Sequence, residues 1–218
     1  VYRLDEKYWL MMLDSCMCEP VHETGGKLSE ETTAWMKMQL EEAKKQGVTV
    51  IPVSHHNLLD ESTLYPEECT IENTKEVTAL LEAYGVPVYL SGHLHLQRIK
   101  KHTSNLNTPG GYGIREIVTS PLPMAPCQYS ILNWQADGSL SYHTKKVDIA
   151  GWAQRYGEED ENLLNFDAYA DQFLVDVISE QAFKALQSAS KDIKEEMARL
   201  YADMNRDYCA GTKIDVGK

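Results

Sequence analysis

The stretch VTVIPVSHHNLLDES, residues 48–62, decides the fold. Its opening residues are apolar on both parities and rich in β-branched side chains, the pattern of a strand covered on both faces, as in parallel sheets. The run stops abruptly at two histidines, His55 and His56. Further along, GVPVYLSGHLHLQRIK (85–100) repeats the arrangement, an apolar run that ends in Gly92, His93 and His95.

Between and before these strands the periodicity is helical. In GGKLSEETTAWMKMQLEEAKKQG (25–47) Ser29 is a natural N-cap, Glu30 and Glu31 favour the first turn, and Gly47 supplies the stop. Met36, Leu40 and Ala43 recur at helical spacing with Trp35 beside them, so one face of this helix is apolar. A second helix is expected near 72–84, using Val77, Leu80, Leu81 and Tyr84, with Gly85 as its end. Strand, helix and strand in this order predict an α/β unit with a parallel sheet.

The opening segment VYRLDEKYWLMMLDS (1–15) reads as two alternating strands around an Asp5-Glu6-Lys7 turn, as though the chain starts inside a fold. From about residue 97 the segments QRIKKHT, YGIREIVTS, CQYSILNWQ and LSYHTKKVD are short and alternating, with Ala136-Asp137-Gly138 as a hairpin turn. An antiparallel sheet with one covered face is expected there. Beyond Gly151 the pattern returns to helix, and residues 155–218 hold 14 acidic against 8 basic residues. Phe166, Ala170, Phe173 and Val177 form one stripe; Ile193, Met197, Leu200, Tyr201 and Met204 form another. Two antiparallel helices packed through these stripes are predicted, with the aromatic and Met residues as core. The domain reading is therefore 1–150 for the sheet-bearing part and 151–218 for an acidic helical appendage.

Composition narrows the function. The formal net charge of −12 over 218 residues repels a phosphate backbone, and the RIKK stretch at 98–101 is too small a basic patch to serve as a nucleic-acid scaffold. No apolar run reaches the roughly 18 residues of a membrane-spanning helix. Cysteines 16, 18, 69, 127 and 209 contain no CxxC pair and read as free or buried thiols, with Cys16 and Cys18 as an alternative ligand or redox pair.

Ligands of α/β sheets collect beyond the carboxyl ends of the strands, where four of the seven histidines fall. In extended backbone His93 and His95 would point to the same side, and neutral imidazole suits Zn, Mn or Fe. Gly92 would allow a sharp turn or a close approach.

VIPVSHHN followed by VYLSGHLH resembles the C-terminal half of the calcineurin-like metallophosphoesterases, a family with a strand-end His and a later Gly-His-x-His. LDS followed by GGKLSEETTAWMKMQLEEAK is similar to the family's segment leading into the His strand, so the resemblance spans about residues 8–150. It implies a four-layer α/β/β/α sandwich, of which this chain would form part, with a dinuclear metal site holding two divalent or trivalent ions (Mn, Fe or Zn). By motif, His55 and His93 would bind one ion and His95 the other. His56 would be a nearby substrate or supporting contact and is the catalytic candidate. Asn57 replaces the family's usual Pro, which leaves the path of the loop after His55 open. The family's Asp-x-His, Gly-Asp and Gly-Asn-His motifs do not occur in the chain, and His22 in HET (22–24) reads as a solvated loop residue.

The resemblance thus implies hydrolysis of a phosphate mono- or diester, with a lean to a phosphodiester or nucleotide, by a protein whose N-terminal portion supplies the remaining ligands. This chain alone would hold at most one ion weakly and be inactive. Its partners would be a small phosphorylated substrate and that N-terminal portion. Tyr65, in the loop after His55, is a candidate stacking residue. The alternative is a non-catalytic metal-binding or interaction module.

Overall fold

The computed structural model describes all residues except 19, 20, 22, 61–66, 103–112, 136, 189 and 213–218. Tyr65 and His22 therefore lie outside the described residues. The chain forms two compact units: Val1–Leu94 with Arg98–Thr119, and His95–Gln97 with Ser120–Lys218.

Among its described residues the first unit holds a six-stranded mixed sheet and two α-helices. Strands β1 (Tyr2–Arg3) and β2 (Tyr8–Met12) form the expected antiparallel pair. Their turn is held by the Asp5 carboxylate, which accepts from the Lys7 and Tyr8 backbone N–H groups. Helix α1 (Glu30–Gln46) starts where Ser29 accepts from Thr32 N and ends at Gly47, whose φ of 69° is a left-handed conformation that glycine adopts without cost. β3 (Thr49–Val53) lies parallel to β2, helix α2 (Thr74–Ala83) follows, and β4 (Val88–Ser91) lies parallel to β3.

Parallel register puts Trp9 beside Val50, and that face carries the core. Trp9, Met11, Val50 and Tyr89 cluster with Met36, Leu40 and Ala43 of α1 and with Val77 and Leu81 of α2. Removing that much apolar surface from water is the main force holding the unit together, at roughly 25 cal/mol per Å².

The expectation of a purely antiparallel second half needs correction. β5 (Arg98–Lys101) pairs antiparallel with β6 (Arg115–Val118), but β6 lies parallel to β4, so both strands belong to the first sheet, in the order β1-β2-β3-β4-β6-β5. Glu116, Ile117 and Val118 are all buried, and the charge on Glu116 imitates the alternation of a half-exposed strand.

In the second unit β7 (Gln128–Trp134) and β8 (Leu140–Lys146) form the expected hairpin, turning at Gly138 with φ 81°. Among the described residues four helices follow: α3 (Ile149–Tyr156), α4 (Glu161–Leu164), α5 (Phe166–Ala185) and α6 (Lys191–Ala210). α5 and α6 pack on each other, with Asp171 and Arg206 paired at 3.8 Å. The buried residues of this pair are Leu174 and Val175 on α5 and Ala198, Ala202 and Cys209 on α6. The predicted aromatic and Met core is thus corrected: Phe173 is 57% exposed and Leu200 61%. Small residues at 198 and 202, one turn apart, let two helices approach closely, and the bulkier stripe faces elsewhere. No described helix is long and apolar enough to cross a membrane.

Candidate metal centre

Beyond Val53 the chain leaves the sheet at Ser54, whose hydroxyl donates to the His56 carbonyl at 2.6 Å and accepts from the buried Tyr89 hydroxyl at 2.7 Å. The two histidines differ in exposure although their ring centroids are 5.0 Å apart. His55 is exposed and His56 is 3% exposed.

Every polar atom of the His56 ring has a partner. Nε2 lies 3.0 Å from the Thr24 carbonyl, an acceptor only, so Nε2 carries the proton. Nδ1 then accepts from the Ser15 hydroxyl at 2.8 Å, and the Ser15 oxygen in turn accepts from the His56 backbone N–H at 3.2 Å. Burial, ahead of all other causes, holds the His56 imidazole below its usual pKa, which keeps the ring neutral. The ring lies against Gly26: a Cβ there would come within 2.3 Å of its Cγ. Gly26 therefore makes room for the His56 ring.

His55 faces the second strand tip. Gly92 N–H donates to the His55 carbonyl at 3.0 Å, tying the two segments, and His55 Nε2 lies 2.9 Å from His93 Nδ1. The ring centroids of His55 and His93 are 4.9 Å apart. One ligand atom from each of His55, His56 and His93 can be chosen so that all three lie within 4.8 Å of one another, a group able to hold a metal ion. Its donor set is three imidazoles, which suits a borderline metal. Within the group the His56 nitrogens are bonded to Ser15 and Thr24, while His55 Nε2 and His93 Nδ1 face each other.

The geometric premise for His93 and His95 is corrected by the backbone. His93 and His95 have φ of 59° and 56°, a left-handed conformation rather than an extended one, so strand alternation does not relate them. His95 is exposed and belongs to the second unit, where its carbonyl accepts from the Cys209 thiol at 3.1 Å.

Asn57 settles the loop path. Its N–H donates to the Cys69 carbonyl at 3.2 Å and its own carbonyl accepts from Ile71 N at 2.9 Å, a local parallel bridge that a proline could not make. Its carboxamide reaches the Gly92 and Cys69 carbonyls at 3.3 Å and the Ser91 hydroxyl at 3.2 Å. Below this loop the buried Glu116 carboxylate accepts from Leu58 N, Leu59 N and the Ser91 hydroxyl. Ser15, Gly26 and Glu116 escape a motif reading. Their signals are slight: a doubled glycine, and one acid inside an apolar run.

Residues 148–217, roughly a third of the chain, match a family model described as the C-terminal domain of cyclic nucleotide phosphodiesterase. The helical part is similar to that domain. Among solved structures, a dimetal phosphatase from Danio rerio aligns at 18% identity and a TM-score of 0.34, covering 44% of this chain and 27% of its own. A protein from Staphylococcus aureus described as a 5'-nucleotidase aligns at 14% identity and a TM-score of 0.39, covering 79% of this chain and 33% of its own. The chain thus spans about a third or less of these solved chains. No curated protein sequence matches it.

Proposed function

We infer that this chain carries part of the metal centre of a phosphoesterase that hydrolyses a phosphate mono- or diester, with a phosphodiester or nucleotide as the favoured substrate. The observation that carries the reading is the 2.9 Å approach of His55 Nε2 and His93 Nδ1 at the carboxyl ends of the adjacent parallel strands β3 and β4. The family match of residues 148–217 supports the leaning to a diester.

In this reading His55 and His93 hold one divalent ion. His56 keeps the loop in place through Ser15 and Thr24, and so acts as a positioning residue. The chemistry an ion supplies there is Lewis-acid polarisation of a phosphoryl oxygen. Carboxylates from a further portion of the same protein complete the centre. The support for a shared site is the donor set: the group found among the described residues is imidazole alone, which leaves positions on an ion for oxygen ligands from elsewhere.

The test is hydrolysis of bis(p-nitrophenyl) phosphate with added Mn, by the 218-residue chain and by the natural full-length product. Turnover is expected from the full-length product and little from the chain alone. Equal turnover by both would overturn the shared site, and none by the full-length product would overturn the enzyme reading.

A second reading, an interaction module, draws on the exposed apolar residues of α6. It predicts metal-independent complex formation that is lost on substituting Leu200 and Tyr201.

A further inference from the structure

Glu116 is a carboxylate placed where sequence logic expects an apolar residue. It is fully buried, on the sheet face that carries the helices, in register with Tyr89 of β4. Burying an ionisable group is costly unless its partners are well placed, so its place here is explained by what it holds. Its Oε1 accepts from Leu58 N at 2.6 Å and from the Ser91 hydroxyl at 2.7 Å, and its Oε2 accepts from Leu59 N at 2.7 Å. Two successive backbone N–H groups converging on one carboxylate fix the conformation of the loop that leaves His55 and His56. The Ser91 bond fixes the strand tip just before Gly92 and His93. Asn57 closes the frame by touching the same Ser91 hydroxyl at 3.2 Å.

We propose that Glu116 is a positioning residue for the metal centre: one buried carboxylate clamps both histidine-bearing tips and so sets the separation of His55 and His93. The proposal rests on the reading of these histidines as metal ligands, but its geometric core can be tested without a metal. Glu116 touches neither imidazole in these bonds and acts through the backbone on either side. A glutamine of the same shape would turn an NH2 group toward backbone N–H donors, so at least one of the two loop bonds is lost.

The experiment compares wild type, Glu116→Gln, Ser91→Ala and the core variant Leu81→Ala by imidazole 1H–15N correlation spectra and by Co(II) titration. In Glu116→Gln the His55 and His93 ring signals should shift or broaden while His143, on β8, stays put. Co(II) affinity should fall about 10- to 100-fold, the usual loss when a partner behind a metal ligand is removed. Ser91→Ala should disturb His93 more than His55, and it decides the matter if Glu116→Gln fails to fold. Leu81→Ala should lower stability and leave both ring signals in place. Unmoved His55 and His93 signals in the folded clamp variants, or equal movement in Leu81→Ala, would overturn the positioning role. If wild type binds no Co(II) yet the ring signals respond, the clamp stands and the metal reading fails.

Discussion

In the sheet unit His56, Asn57, Ser91 and Glu116 lie buried beside Met36 and Leu81, whereas in the helical unit Phe173, Leu200 and Tyr201 stand in solvent and the buried residues of α6 are Ala198, Ala202 and Cys209. The first unit takes polar groups inside, and the second leaves large apolar groups outside. Buried polar groups cost stability unless each is bonded, and here Ser91 bonds to Asn57 and Glu116 while His56 bonds to Ser15 and Thr24. Exposed apolar residues on α5 and α6 contribute little to the stability of their own unit.

The strongest way to break this contrast is to shorten one leucine in each unit. Leu81→Ala should cost about 2–5 kcal/mol in urea unfolding, while Leu200→Ala should fall within about 0.5 kcal/mol of wild type. Similar losses from both would show that the two units store stability alike. Next come the supports of His56. Gly26→Ala forces a methyl into the imidazole and should cost about 1–3 kcal/mol. Ser15→Ala strands a ring nitrogen and a backbone N–H and should cost a similar 1–3 kcal/mol. If Ser15→Ala is neutral in unfolding experiments, the buried network is not a determinant of stability.

A smaller effect sharpens the comparison through pH. Burial raises the Cys209 thiol from its ordinary 9.0 to about 11, and burial likewise pushes the Tyr89 phenol up. The folded chain keeps these protons at pH values where the unfolded chain has lost them. Their contribution to stability is therefore steady below pH 9 and falls as pH rises from 9 toward 11, with Cys209 first and Tyr89 adding its share above pH 10. Cys209→Ala should flatten the 9–10 part of a stability-against-pH curve. An unchanged slope would remove Cys209 from the account.

Much of this architecture is legible in the sequence because local rules and tertiary demands agree. Ser29 and Gly47 bound α1, Met36, Leu40 and Ala43 do face the core, and the double-parity run at 48–54 is a parallel strand. Legibility fails where one residue satisfies a distant demand. Glu116 disguises a buried strand because its partners, Leu58, Leu59 and Ser91, are far away in sequence. The stripes of α5 and α6 show that each helix has an apolar face, but periodicity is silent on whether that face or the Ala198 and Ala202 side meets the neighbour. At the site, the histidines stand out in the sequence, and the left-handed turn at His93 does not, since only Gly92 hints at it.

The most direct measurement of the central claim is calorimetric titration of Mn(II) or Zn(II) into the wild-type chain and into His55→Ala, His93→Ala and His143→Ala. The account predicts binding to wild type and to His143→Ala, and its loss in each of the other two. No binding to wild type, or binding that survives both the His55 and the His93 substitution, would contradict it.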